Sequence, residues 1–289
     1  GRNYSGNMST QQAFGLVLTD MSRSLGDISR RIVSVSPDVA SSTNLGGWIN
    51  RVGVWKTGEP EELPEEGVLR ALRWEESKDG QHIELGISEN NLFMMLGQLG
   101  TSYEMDGEML FPIGTLYDPF IRRGLDAFVY SVYSGGKFIV VGTPSGLSLA
   151  PEGGAHQSII TPLIGLGQPN LLMFEPTYAD ELEIILRYSF SYIQEENGSS
   201  VYIRLSTRNI SQPNRHVSKK MEEEILSGGY WLEKPKEKSN ITIVFSGVLA
   251  PEVLEAVNIL REDAPNISIL VITSADRLYK DWKNIQNQS

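Results

Sequence analysis

Apolar positions along this chain fall into two alternating spacings. Phe14, Val17, Leu18 and Met21 recur at helical intervals, and Ser9 followed by Gln12 has the form of a capping box, so a helix is expected over 9–25. A short strand over 31–35 leads into Ser36-Pro-Asp-Val-Ala-Ser-Ser-Thr-Asn44, a loop of small polar groups. Residues 52–80 read as irregular and acidic, with 68–74 open to either a short helix or a strand. From Gln81 the pattern predicts an extended lead-in, a turn at Gly86, and a helix from Glu89 to about residue 99.

Asp106-Gly107 marks a turn, 109–113 a strand, and 117–133 a helix with Pro119 in its first turn, where proline is tolerated. Residues 137–142 are apolar without alternation, as in strands buried on both faces of a parallel sheet. A glycine-rich loop over 144–157 follows. Then come a helix over 158–166, a strand over 171–174, a helix over 178–194 and a strand over 201–205. The polar stretch 206–240 reads as a linker with a short β element at 229–232. Beyond it the pattern predicts a strand over 241–245, a helix over 251–261, a strand over 267–272 and a final helix from 274.

This alternation predicts an α/β fold, a mostly parallel sheet covered by helices on both faces, followed by part of a second α/β domain. Residues 1–215 form the first domain in this reading. Residues 216–289 hold one βαβ unit, too small to be complete, and both polar chain ends look like cuts.

Composition narrows the chemistry. The 289 residues contain no cysteine, which excludes disulfides, thiolate metal sites and cysteine nucleophiles, and three histidines leave little room for a histidine-rich metal site. A net charge of -11 repels a phosphate backbone, so nucleic acid is not an expected partner. No apolar run reaches membrane-spanning length and the N-terminus is unlike a signal peptide, so a cytoplasmic protein without a membrane partner is expected.

Four features carry candidate chemistry. Glu89 is the only charge leading into the apolar run 92–96; a carboxylate at a helix start is also favoured by the helix dipole alone. Tyr117 and Phe120 are three apart, suited to a stacking wall for a planar ring or to a pair of core aromatics. The loop Glu152-Gly-Gly-Ala-His156-Gln157 offers a histidine able to exchange a proton near neutral pH, or simply a solvated one. Asp38 lies in a loop at the carboxyl end of a strand, where open α/β sheets place ligands. P-loop, dinucleotide, serine-hydrolase and His-Glu-x-x-His patterns are absent.

Taken in order, these motifs resemble the pyrimidine-binding domain of the transketolase-like thiamine diphosphate enzymes. The likeness covers about residues 9–280 and is greatest to the homodimeric bacterial pyruvate dehydrogenase, in its decarboxylating component. Gly86-Ile-Ser-Glu89 looks like that family's Gly-Ile-x-Glu, and the spacing from Glu89 to Tyr117 and Phe120 matches without a gap. Ser36-Pro-Asp38 with Ser42-Thr-Asn44 looks like the transketolase Ser-Ala-Asp segment, and Glu152 to Gln157 is similar to its Asp-Gly-Pro-Thr-His-Gln.

There are departures. The Gly-Asp-Gly segment that holds diphosphate and magnesium is missing, and Gly26-Asp27-Ile28 does not replace it. The pyruvate enzyme's additional histidines around His156 are missing too. Ser206-Thr-Arg208-Asn209 is similar to a sugar-phosphate-binding segment, but its arginine is shifted by one.

The resemblance implies a thiamine diphosphate-binding fold and cofactor. It implies Glu89 as the residue that shares a proton with the aminopyrimidine, Tyr117 and Phe120 as its stacking wall, and His156 as a group acting on the substrate carbonyl. Asp38 is a weaker candidate for contact with the cofactor or partner subunit. No metal ligand is assigned to this chain; magnesium would belong to an N-terminal diphosphate-binding domain outside it. The implied activity is 2-oxo acid decarboxylation with acyl transfer to a lipoyl carrier, and the implied partners are a second copy of the chain and a lipoyl-carrying acyltransferase. The fragment alone is expected to be inactive. Transketolase-type ketol transfer and a non-catalytic dimerisation or regulatory module are the alternatives.

Overall fold

The computed structural model describes residues 2–58, 74–236 and 239–288. Strand β1 (Asn7–Met8) leads into helix α1 (Thr10–Ser24), then β2 (Ile32–Ser36), α2 (Gly46–Val52), β3 (Val54–Trp55), β4 (Glu76–Ser77) and β5 (His82–Glu84). Helices α3 (Glu89–Gly100) and α4 (Ser102–Asp106) precede β6 (Phe111–Leu116). A 3-10 segment over Asp118–Gly124 joins α5 (Leu125–Tyr133), followed by β7 (Ile139–Gly142), α6 (Thr161–Gly167), β8 (Leu171–Phe174), α7 (Ala179–Tyr192) and β9 (Ser200–Arg204). The last elements are β10 (Ile210–Ser211), α8 (Lys219–Ser227), β11 (Gly229–Glu233), β12 (Ile241–Ser246), α9 (Ala250–Leu260), β13 (Ile267–Ile272) and α10 (Ala275–Gln288).

Eight strands form one sheet in the order β4-β3-β5-β2-β6-β7-β9-β8, and every neighbouring pair is parallel. The α/β architecture is therefore as expected. Successive side chains on a strand point to opposite faces. Ile139 and Val141 of β7 accordingly join the core under α1 and α7, while Val140 joins the core under α3 and α5. Both faces being covered, the strand reads as a continuous apolar run. A smaller sheet, β11-β13-β12, has β12 parallel and β11 antiparallel to β13. Its Tyr230 donates to Glu181 of α7 at 2.6 Å, and Glu175 N–H donates to the Thr273 carbonyl at 2.8 Å. Among the described residues no helix is long and apolar enough to cross a membrane.

The expected helix over 117–133 is two pieces. Pro119 removes a backbone donor, and Asp118 turns its carboxylate inward to buried partners, so the first turn tightens into the 3-10 form before α5 starts at Leu125. The strand expected over 109–113 instead runs from Phe111 to Leu116, because Gly114, Thr115 and Leu116 pair with β7. The linker reading of 206–240 missed α8, capped by Ser218, which accepts from the Met221 N–H at 3.2 Å. Only Ile225 of α8 is buried, which leaves little apolar pattern to read. Within 52–80, β3 and β4 are held by backbone pairing with each other. The helix-or-strand alternative over 68–74 lies outside the described residues apart from Trp74.

Candidate active site

In a parallel sheet the carboxyl ends of all strands share one edge. The neighbours β5, β2, β6 and β7 are each followed there by a loop carrying a candidate residue. After β5, Gly86 turns the chain with φ of 71°, and Ser88 caps α3 by accepting from the Asn91 N–H at 3.4 Å. Glu89 is the first residue of α3 and only 7% exposed. Behind it Leu92, Phe93 and Leu96 are fully buried, and Phe93 stacks on Phe128 of α5 at 4.6 Å.

After β6, Tyr117 and Phe120 hold their ring centroids 5.9 Å apart. After β7, the loop brings the His156 ring edge-on to both, 5.8 Å from Tyr117 and 5.4 Å from Phe120. His156 Nε2 lies 3.8 Å from Glu152, and its Nδ1 is buried without a hydrogen-bond partner. The fold thus gathers Tyr117, Phe120 and His156 into one aromatic cluster, and Glu89 adjoins it through Arg123. The Arg123 Cζ lies 3.8 Å over the Phe120 ring, and its Nη1 is 3.4 Å from Glu89 Oε1.

Asp38 stands apart from this cluster. It is exposed, adopts φ of 62°, and its backbone N–H donates to Glu84 at the end of β5. Glu84 in turn contacts buried His82 at 3.1 Å, and His82 reaches Ser34 at 2.9 Å. The loop over 36–44 is nevertheless joined to the aromatic turn, because Tyr117 OH donates to Ser42 Oγ at 3.0 Å. Gln11 of α1 secures the same loop, donating to the Ser42 carbonyl at 2.9 Å while accepting from Thr143 after β7 at 2.6 Å.

Arg123, Asp118, Arg204 and Gln11 escaped the sequence reading. Asp118 sits inside the Tyr117–Phe120 motif, whose sequence signal is its two rings. Arg123 is three residues beyond Phe120, a spacing that places side chains on one face of a turn. Nothing local marks Gln11 or Arg204. Burial, with Asp118 next, pushes the Tyr202 phenol well up, so it donates to the Asp118 carboxylate. Burial also pushes the Glu175 carboxyl up, while Arg204 opposes it. Among the described residues no group of three or more His, Asp or Glu side chains is arranged to hold a metal ion.

The sequence profile of the pyruvate dehydrogenase E1 component middle domain matches residues 1–213. The pyruvate dehydrogenase E1 component of Pseudomonas aeruginosa is 29% identical over 262 residues, covering 89% of this chain and 29% of that protein. The chain therefore spans less than a third of this relative's length. Among solved structures, transketolase from Leishmania mexicana superposes with a TM-score of 0.76 at 17% identity, over 96% of this chain and 36% of that one. A split-gene transketolase, described as an inactive beta4 tetramer, matches with a TM-score of 0.64 at 20% identity, over 92% of this chain and 71% of that one. At these identities the two structures speak to the fold alone.

Proposed function

The chain belongs to the pyruvate dehydrogenase E1 middle-domain family, and on that premise we propose that it is the pyrimidine-holding part of a thiamine diphosphate-dependent 2-oxo acid dehydrogenase. The whole protein decarboxylates a 2-oxo acid and passes the acyl group to a lipoyl carrier. One observation carries this reading: loops from adjacent strands converge so that His156 packs 5.4 Å from Phe120, while Arg123 bridges Phe120 to buried Glu89.

The residues suit an aminopyrimidine ring. The Arg123 guanidinium, a flat group with N–H donors, lies against the Phe120 face and beside the Glu89 carboxylate. That space accepts a planar N–H donor. The unpartnered, buried Nδ1 of His156 leaves a hydrogen-bonding position for a bound group. When bound, thiamine diphosphate supplies the carbon nucleophile and the electron sink for decarboxylation.

In this reading Glu89 holds a ring nitrogen of the pyrimidine and shares a proton with it, shielded from water by its position at the start of α3. Phe120, with Tyr117 beside it, stacks on the ring. His156 orients or protonates the substrate carbonyl. Asp38, exposed on its loop, contacts the cofactor or the partner subunit. Residues 1–215 form the pyrimidine-binding domain and 216–289 part of a C-terminal domain.

Diphosphate and magnesium are assigned to a domain outside this sequence, so the chain supplies half a site and functions as a homodimer. Alone it is inactive. The protein works in the cytoplasm with a lipoyl-carrying acyltransferase. The test is an assay of the full-length protein with pyruvate, 2-oxoglutarate and ketose phosphates. Decarboxylation of a 2-oxo acid is expected. Turnover of sugar phosphates alone would reject the reading in favour of ketol transfer.

A further inference from the structure

The aromatic turn and the histidine loop follow different strands, yet one buried cluster grips both. Asp118 is fully buried inside the turn. Its Oδ1 accepts from Tyr202 OH of β9, and its Oδ2 accepts from Thr161 Oγ1 at 2.6 Å, at the start of α6. Arg204 Nε lies 3.5 Å from Oδ2. This last contact is an ion pair and not a hydrogen bond, since Nε has no acceptor in hydrogen-bonding geometry.

Arg204 is 4% exposed and extends the cluster in two directions. Its Nη1 donates to Glu175 Oε2 at 2.6 Å, and its Nη2 to the Ser158 carbonyl at 3.4 Å. Ser158 closes the loop that carries His156: its Oγ accepts from the Gly146 N–H at 2.8 Å, and its own N–H donates to the Gly146 carbonyl at 2.9 Å. Gly142, just before the loop, leaves room for the cluster, because a Cβ there would come within 2.2 Å of Asp118 Oδ1.

We infer that Asp118 and Arg204 are positioning residues of the site, a buried pair that sets the separation between the Tyr117–Phe120 turn and the His156 loop. Replacing a buried ion pair by apolar groups is often neutral or stabilising, so stability alone is a poor reason for one here. Leaving one partner buried without the other is costly. The two loops that carry and contact the pair are therefore bound to move together. The value of this separation for catalysis rests on the reading proposed above; the separation itself does not.

The experiment is NMR of the full chain, reading the ring-current shifts that Tyr117 and Phe120 impose on the His156 imidazole protons. His82 and His216 serve as internal references. Asp118→Asn keeps the shape of the side chain and removes its charge. The expected result is a His156 signal displaced towards the value of a free imidazole, with the His216 signal in place. A purely structural role would lower the melting temperature without moving His156. A folded Asp118→Asn protein with an unmoved His156 signal overturns the inference.

If that variant does not fold, Thr161→Val and Tyr202→Phe decide, since each removes one neutral partner of Asp118. Displacement of His156 in either supports the inference, and an unmoved signal in both overturns it. A displaced His156 signal, together with a wild-type full-length protein that turns over sugar phosphates and no 2-oxo acid, would keep the inference and reject the proposed activity.

Discussion

The guanidinium of Arg123 lies 3.8 Å over the ring of Phe120. From there it reaches Glu89 at 3.4 Å, so it takes both contacts that the proposed function gives to the aminopyrimidine. A cation over an exposed ring contributes about 0.5–1 kcal/mol. More than half of the Arg123 side chain is exposed, so its ion pair with Glu89 adds little. Arg123→Ala should therefore tighten thiamine diphosphate binding by roughly 2–5-fold, by removal of an internal competitor. Calorimetry on the full-length protein with magnesium reads this directly, and weaker binding would mean that Arg123 holds the cofactor instead.

Glu89→Gln keeps the size of the side chain and its place at the start of α3, but not its ability to share a proton. Turnover by the full-length protein should fall on the order of 10²–10⁴, the scale of acid–base catalysis. An unchanged rate would remove Glu89 from the mechanism.

Phe120→Ala removes the ring on which the proposed function stacks the pyrimidine. The loss should be about 0.5–1.5 kcal/mol, roughly 2–13-fold in cofactor affinity. It also removes the platform under Arg123, so the two substitutions should not be additive. A double-mutant cycle on binding constants measures this. Additive effects would show that Arg123 and the cofactor do not compete for the same face.

Gly124 lies where the 3-10 segment crosses the start of α3. A Cβ there would come 2.6 Å from the Phe93 ring and 2.7 Å from the Glu89 carbonyl oxygen. The carbonyl is backbone and cannot swing aside, so Gly124→Ala should destabilise the protein by about 1–3 kcal/mol. Gly167, with nothing within 4 Å of its Cβ position, is the control, and Gly167→Ala should stay within about 0.5 kcal/mol of the parent. Thermal denaturation of both distinguishes crowding from a general intolerance of glycine replacement.

Tyr230 of the small sheet donates to Glu181, which is fully buried in the large body and also paired with Arg215 at 3.1 Å. Tyr230→Phe takes one donor from a buried carboxylate and should cost about 1–3 kcal/mol. Denaturant unfolding followed by fluorescence tests it. No change would mean that the seam between the sheets does not depend on this bond.

The period of the apolar residues was enough to reveal the βα alternation and the core face of α1, whereas the continuous run 92–96 in α3 did not mark Met94 as its exposed member. The Ser9 cap is legible because a cap acts on a donor within three residues, and its hydroxyl is found on the Gln12 N–H; Ser88 caps α3 in the same way without having been marked by the sequence. Such effects are local and survive without tertiary context. Where the pattern failed, backbone or burial had overruled propensity. Pro119 and the inward pull on Asp118 split the helix expected after Tyr117, and α8 was hidden because it buries one side chain.

The arrangement of the site has a different origin. Tyr202 and Asp118 are 84 positions apart, and Gln11 and Thr143 are 132 apart, yet each pair shares a hydrogen bond. No periodicity reaches across such a distance. They meet because parallel strands put all their carboxyl ends on one edge, and because the strand order places β5, β2, β6, β7 and β9 side by side. The chemistry-bearing residues Glu89, Tyr117, Phe120 and His156 were thus readable in one dimension, and Arg123, Asp118, Arg204 and Gln11 were not. Their separations, the guanidinium resting on Phe120 and the ion pair beneath the loops exist only once the sheet has formed, because charge pairing and ring packing depend on distance in space and not along the chain.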